Sequence, residues 1–319
     1  MSLPSTTPYD SHPTRVPPPR VEEVADGIFA YIQPDGGWCL NNAGILVGHH
    51  TTAFVDTAAT EARARGLRAA ALERGGVEPR MVLNTHHHGD HTLGNAVAAP
   101  YATVVAHARM RDEMAAKGEG LKHMWPDTEW GQLGDIRRSL PMVAFEDRLT
   151  VYVDDLVVEL IHVGPAHSDN DVVVWVPEHR VLFAGDVLMP GCTPFVLMGS
   201  VKGSLEAIAG LRELDPRVVV GGHGPVAGPE ALGETEAYLR WVQRVAADGI
   251  AAGLTPYEAA RDAALGPYAQ WRDAERVVAN LHRAYSEAHG CPLDTQIRSA
   301  PVMAEMAQLN GGEPMVCLA

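Results

Sequence analysis

An α/β sandwich with a site along one rim is the fold class this sequence predicts, and three observations predict it. Short β-branched runs alternate with helical segments through the first two-thirds of the chain. Histidine or aspartate stands directly after several of those runs. The last third carries helical signals only. With 319 residues, 46% of them hydrophobic, the chain can fill one large core or two modest ones.

The elements follow in order. Residues 1–20, MSLPSTTPYDSHPTRVPPPR, are rich in Pro, Ser and Thr and lack the apolar run of a signal peptide, so a disordered leader is expected. Strands over 28–32, 44–47 and 52–55, parted by turn residues Pro34-Asp35-Gly36-Gly37 and Gly48-His49-His50, open the fold as a β-meander. Residues 61–73 form an Ala-, Arg- and Leu-rich helix, and 81–83 a buried strand that leads into NTHHHGDHTLGN. A strand over 103–106 and a helix over 107–117 precede the irregular stretch GLKHMWPDTEWGQLG, a candidate substrate loop. Further β-branched runs cover 149–161, 172–176, 181–184 and 217–220, with a helix over 204–213 before the last. Beyond Pro229 the segments 230–247, 256–264 and 272–289 are Ala-rich and amphipathic. The expected organisation is therefore a leader (1–20), an α/β domain (21–228) and a helical extension (229–319), which could cover the site or mediate a homodimer.

Composition narrows the function. A formal charge of −15 offers no basic footprint for nucleic acid or for an anionic membrane surface, which leaves small molecules and protein surfaces as partners. The four cysteines are scattered and form no C-x-x-C pair. That argues against a disulfide framework or a thiolate zinc site and fits a reducing cytoplasm.

The chemistry gathers in NTHHHGDHTLGN. In an extended segment His86 and His88 point the same way and His87 the other, while Gly89 permits a turn that returns Asp90 and His91 toward them. One loop can then serve two neighbouring cations that accept imidazole and carboxylate. Alone, the motif would also suit a polar surface turn. Three later residues share its setting: His167 in GPAHSDND, Asp186 in FAGDVLM and His223 in VVVGGHGP each follow a strand and are flanked by small residues. Asp56, in FVDTAA, could orient a ligand histidine or cap the helix that follows.

This ordered set resembles the binuclear hydrolase pattern of the metallo-β-lactamase superfamily at all seven ligand positions. The resemblance implies an αββα sandwich in which His86, His88 and His167 hold one metal, Asp90, His91 and His223 hold the other, and Asp186 bridges them. Asp186 stands where zinc β-lactamases carry cysteine, which favours hydrolases of thioesters, lactones and related substrates. His88 stands where diiron flavoprotein relatives have glutamate. Two zinc ions are thus implied, with manganese or iron also compatible with N/O donors. Such a pair activates water and polarises a carbonyl, and the same Lewis acid can stabilise an enolate. Asp90 and Asp186 are the candidate catalytic residues, Asp90 as acceptor of an α-proton.

GGWCLNNAGI, NTHHHGDHTLGN, GPAHSDNDVVVWVPEHRVLFAGDVLM, GCTPFVLMGSV, VVVGGHGPVAGPE, YLRWVQR and the tail ending in CLA are similar, together, to the metallo-β-lactamase-fold second-ring cyclases of actinorhodin-type aromatic polyketide biosynthesis. The similarity runs from about Val21 to the C-terminus. It implies aldol closure of the second ring of an aromatic polyketide and its release from an acyl carrier protein by thioester cleavage. A general thioesterase or lactonase of glyoxalase II type is the alternative. Such a substrate needs a broad apolar pocket, for which Trp38, Trp125, Trp130, Phe195, Leu197 and Met198 are candidates, although each also suits plain packing. Asn41 and Asn42 could orient a carbonyl or phenol, or serve a turn. Carrier proteins are usually acidic, and Arg109, Arg111, Lys117, Lys122, Arg137 and Arg138 are the basic set expected to receive one.

Overall fold

A computed structural model of the protein describes residues 16–75, 77–117, 120–131 and 139–319. Its first sheet contains β1 (Arg20–Ala25), β2 (Ile28–Ile32), β3 (Ala43–Val47), β4 (Thr52–Val55), β5 (Pro79–Leu83), β6 (Thr103–His107) and β7 (Val143–Phe145), neighbours in space in that order. The meander β1 to β4 is antiparallel, and β4 to β7 are parallel. Between these strands lie α1 (Glu61–Gly75), α2 (Gly89–Thr92), α3 (Asn95–Ala98), α4 (Ala108–Lys117) and α5 (Gly120–Met124). The second sheet is built from β8 (Arg148–Val153), β9 (Leu156–His162), β10 (Val172–Val176), β11 (Val181–Gly185) and β12 (Val218–Gly221), in the order β12-β11-β10-β9-β8. Only the β11–β12 pair is parallel within it. The chain continues from α6 (Val201–Glu213) through α7 (Glu230–Ala251), α8 (Pro256–Asp262), α9 (Arg276–Ala288) and α10 (Ser299–Leu309).

The side-chain period of two makes the layers. Val172, Val174 and Val176 of β10 face the first sheet and pack with Leu46, Val55, Leu83 and Val105. Val173 and Trp175 face the other way, into a cluster shared with Ile208 of α6, Leu239 of α7, Val278 and Leu281 of α9 and Met306 of α10. On the outer face of the first sheet, Ile45, Phe54 and Val82 pack with Ala64, Leu67 and Ala71 of α1. The result is an α/β/β/α sandwich, with the C-terminal helices forming one outer layer.

Some expectations need adjusting. The run 149–161 is a hairpin, turned at Asp154, which adopts a left-handed φ of 50°. Helix α6 begins three residues earlier than its pattern suggests because Ser200 caps it, accepting a hydrogen bond from Gly203 N. Strands β1 and β7 and helix α10 carried no sequence signal: both strands are sheet edges, β1 with only exposed or half-buried positions and β7 only three residues long, which blurs alternation. Of the expected leader, residues 1–15 lie outside the described residues, and Arg20 already pairs with Ile32. No helix among the described residues is long and apolar enough to cross a membrane.

Candidate metal centre

Four strand ends deliver the cluster. After β5, the Asn84 N–H donates to Val105 O, and the Thr85 N–H donates to Asp56 Oδ1 at 2.8 Å, so the chain leaves the sheet along a fixed path past His86 and His88. Gly89 opens α2 in helical backbone, and that turn returns Asp90 and His91 toward the other donors; what needs a glycine there is Leu121, whose Cβ lies 2.9 Å from where a Gly89 Cβ would stand. His167 follows β9 in a loop folded around Asp171, which accepts hydrogen bonds from Ala166 N, Ser168 N and Ser168 Oγ. Asp186 and His223 follow β11 and β12, whose register sets Gly185 opposite Gly221. Gly222 is obligatory: a Cβ there would sit 1.9 Å from Asp186 Oδ1.

These loops place His86, His88, His167 and Asp186 in one group and Asp90, His91 and His223 in another, the donor atoms of each within 4.8 Å of one another. Asp186 belongs to both in space. Its Oδ2 lies 3.8 Å from His86 Nε2, 3.4 Å from His167 Nε2 and 3.6 Å from His223 Nε2, and its Oδ1 lies 3.2 Å from His91 Nε2. Asp90 Oδ2 is 3.4 Å from His223 Nε2.

The outer nitrogens decide which way the inner ones work. His91 Nδ1 donates to Asp56 Oδ2 (2.8 Å), His223 Nδ1 to Gly36 O (3.0 Å) and His167 Nδ1 to Phe195 O. His86 Nδ1 meets Thr85 Oγ1 at 3.0 Å, and that hydroxyl donates to Asp56 Oδ2. Carbonyl and carboxylate oxygens only accept, so the protons sit outside and the Nε2 lone pairs face the centre. Asp56 is therefore a brace for the cluster and not the cap of α1, which begins five residues later at Glu61. The donors fit metal ions: His86 Nε2, His91 Nε2 and Asp186 Oδ1 are buried without a hydrogen-bond partner, and His88 turns its Nδ1 toward the centre, 2.8 Å from His167 Nε2.

Charge agrees with geometry. Burial, then neighbouring imidazoles, pushes His86 and His88 well below the ordinary histidine value, leaving neutral ligand forms. Burial also disfavours a charged His91, but Asp186, Asp90 and Asp56 outweigh it and push that group well up. His223 rises to about 9 because Asp186 and Asp90 outweigh its burial. The two carboxylates are held below their usual range, against burial, by the surrounding imidazoles. A proton on His91 or His223 answers the same buried negative charge that a cation would.

The sequence matches the description "Metallo-beta-lactamase superfamily" over residues 36–223, more than half of the chain. The chain belongs to the metallo-β-lactamase superfamily. Members of that superfamily are typically metal-dependent hydrolases that bind zinc. Similar proteins include a type 2 metallo-β-lactamase of Bacteroides fragilis, 23% identical over 228 residues that cover 68% of this chain and 83% of that one. A hydroxyacylglutathione hydrolase of Methylococcus capsulatus is 30% identical over 161 residues, 50% of this chain and 53% of its own length. The DIM-1 metallo-β-lactamase structure superposes with a TM-score of 0.57 at 19% identity, covering 71% of this chain and 99% of that one, which shows the shared fold.

In this metallo-β-lactamase-fold chain the cluster opens on a cavity of about 610 Å³. Trp38, Trp125, Phe195, Leu197 and Met198 line it, with Leu121, Met124 and Ile297. Trp38 meets Phe195 edge-on at 5.5 Å and Trp125 at 5.7 Å. Its Nε1 donates to Glu275 Oε1 (2.8 Å), and the Arg276 guanidinium lies 4.2 Å from the indole centroid. Burial, then Asp273, pushes the Glu275 carboxyl up to about 6.

Three expected substrate residues do not line this cavity. Asn41 is fully buried and ties Gln33 to Thr57 O; Asn42 donates to Gly221 O and Gly224 O, fastening the His223 loop. Trp130 turns inward and donates to Trp125 O. His87, expected to face away, does line the cavity and pairs with Asn170.

The sequence reading missed Arg276, Asn280 and Arg283, which hold the cavity wall from α9. Arg276 Nη1 donates to Thr193 O, Asn280 donates to Pro194 O and accepts from Val196 N, and Arg283 donates to Leu197 O. All three are buried. Their spacing, i, i+4 and i+7, is a polar stripe on one helix face and was the available signal.

Proposed function

We propose that this chain is a zinc-dependent polyketide cyclase and thioesterase. It closes the second ring of an aromatic polyketide by intramolecular aldol condensation and releases the product from an acyl carrier protein by hydrolysis. The observation that carries the reading is the cavity: a volume of about 610 Å³, walled by Trp38, Trp125 and Phe195 with Leu197 and Met198, suits a flat fused-ring ligand. Two zinc ions, held by His86, His88 and His167 and by Asp90, His91 and His223 with Asp186 between, would polarise a carbonyl and supply water activated at neutral pH.

The chain's own residues do the rest. Asp90 lines the cavity with its carboxylate held ionised, so it can accept an α-proton from a bound β-ketone. Trp38 and Phe195 fix the plane of the aromatic portion, and Leu121 and Met124 exclude water from it. Arg109 and Arg111 on α4 and Lys122 on α5 form the described part of the basic set assigned to carrier-protein docking; Arg111 also donates to Pro141 O. Arg137, Arg138 and the side chain of Lys117 lie outside the described residues.

A thioesterase of glyoxalase II type is the second reading, favoured by the 30% identity to a hydroxyacylglutathione hydrolase. Product analysis by mass spectrometry separates the two. Zinc-loaded protein is incubated with an aryl β-polyketone thioester, beside an Asp186→Asn control. Metal-dependent ring-closed acid with released thiol supports the cyclase. Uncyclised acid with thiol leaves a thioesterase, and no turnover by fully metallated protein overturns both.

A further inference from the structure

The end of the chain returns to the wall of the metal cavity. Leu318 N donates to Trp38 O at 3.1 Å, and Arg63 Nη2 donates to Leu318 O at 3.1 Å. Leu318 Cδ1 lies 3.1 Å from where a Gly37 Cβ would stand. A backbone bond between residues 318 and 38 brings their neighbours 317 and 39 together, with Cys39 in a turn at a φ of 67°. Both neighbours are cysteines, and their thiols engage each other.

The pair is placed where it can matter. Cys39 lines the metal cavity, while Cys317 lines a second hollow of about 1040 Å³. The two hollows share Gly120, Met124, Trp125, Ser299 and Met303, so the cysteines stand at the partition between them. The other two cysteines differ: Cys192 is buried against Gly36 O, and Cys291 is exposed.

We propose that Cys39 and Cys317 form a reversible intramolecular disulfide that pins the C-terminal tail to the Trp38 wall of the cavity. The backbone bond beside them and the hydrogen bond between their side chains put the two sulfurs within reach of each other. In a reducing compartment such a bond is a transient, oxidant-dependent modification.

Cys317 is the sulfur that reaches the thiolate first. Cys39 holds it down to about 7, against the upward push of burial, whereas burial keeps Cys39 well above the ordinary thiol value. With hydrogen peroxide as oxidant, the Cys317 thiolate attacks one peroxide oxygen, the O–O bond breaks, hydroxide leaves and a sulfenic acid forms. The Cys39 thiol then attacks that sulfur; the S–S bond forms, the S–O bond breaks, and the sulfenic oxygen leaves as hydroxide that takes the Cys39 thiol proton to become water. Two thiols are oxidised to one disulfide and one peroxide is reduced to two waters. Two molecules of a small thiol reverse the bond by exchange.

The experiment uses the full-length, zinc-loaded chain treated with hydrogen peroxide, alkylated and digested with trypsin without reduction. The expected result is a cross-link joining peptide 21–63 to peptide 299–319, which carry Cys39 and Cys317. Two free thiols per chain should be lost and recovered with dithiothreitol. The cross-link should vanish in Cys317→Ser, a near-isosteric change at the third residue from the end of the sequence, and survive in Cys291→Ser. Recovery of both peptides alkylated while Cys291 is oxidised would overturn the proposal. So would Cys317 advancing to sulfinic acid with Cys39 still alkylated. The readout is a covalent mass and does not depend on which substrate the metal site takes.

Discussion

The ligand loops and the loop at residues 193–198 border the same cavity, yet different parts of the chain hold them. The first are fixed from within the sandwich: Asp56, at the end of β4, accepts from Thr85 N, Thr85 Oγ1 and His91 Nδ1. The second is fixed from the sandwich's outer helical layer, by Arg276, Asn280 and Arg283 of α9 gripping backbone more than eighty residues away in sequence. They join at Phe195, whose carbonyl accepts from His167 Nδ1 while its ring lines the cavity. The difference teaches that reactivity and shape are separately specified. The sandwich core sets the metal donors, and the C-terminal helical layer sets what fits over them.

The largest effect should come from breaking the donor side. Asp186 touches imidazoles of both groups, so Asp186→Asn removes the one charge they share. On the proposed function, thioester hydrolysis should fall on the order of 10³-fold, the scale of deleting a charge-stabilising group from a site. Steady-state rates with metal content measured on the same samples check this; near-normal turnover at full occupancy would remove Asp186 from the bridge.

Next in size is Asp56→Asn. Asp56 sits at a φ of 59°, a conformation asparagine tolerates, so the backbone is spared while the charge and one of the two accepting oxygens are lost. Metal affinity should drop about 10- to 100-fold, as for other groups that orient a ligand histidine. Competition with a chromogenic chelator measures it. An unchanged dissociation constant would mean that His91 is oriented without the Asp56 charge.

The shape side should respond differently. Trp38→Leu removes the indole that Glu275 and Arg276 hold against the cavity, without touching a metal donor. KM for an aryl thioester should rise roughly tenfold, about 1.4 kcal/mol, with kcat and metal content little changed. A fall in metal content of the same size would show that shape and reactivity are not separable here.

The same division explains what could be read from the sequence. The donors were legible because each lies within a few residues of a β-branched run and because His and Asp crowding has few other uses. The wall was half legible: Trp38, Trp125, Phe195, Leu197 and Met198 are apolar residues near the motifs, but so is Trp130, which the fold turns inward to bond Trp125 O. Asn41 and Asn42 looked like ligand contacts because polar residues beside a motif do. Only tertiary structure shows them spent on Thr57, Gly221 and Gly224 carbonyls. The grip of α9 was missed because its partners are backbone groups, which carry no residue identity. The edge strand β1 was missed because its positions are exposed or half-buried throughout, and β7 because three residues are too short a run to show a period.

The smallest expected effect lies just outside both regions and tests whether acid reaches the site through the scaffold. The rings of His107, at the end of β6, and His162, at the end of β9, stack at 3.9 Å, and His162 Nε2 is buried without a partner. Burial, then His162, pushes His107 down to about 4, and Arg109 N donates to its Nδ1. The unfolded chain binds a proton near 6.5 while the folded chain resists until about 4. Stability from this group is therefore complete above about 6.5 and is lost as pH falls through that window. Only part of that window is crossed between pH 7.5 and pH 5, so an effect of about 1 kcal/mol is expected. Urea unfolding of wild type and His107→Gln at pH 7.5 and pH 5 isolates it, because acid release of any bound metal lowers both proteins alike. The variant should lose about 1 kcal/mol less than wild type between the two pH values. Equal losses would place the acid sensitivity of the fold in the donor cluster itself.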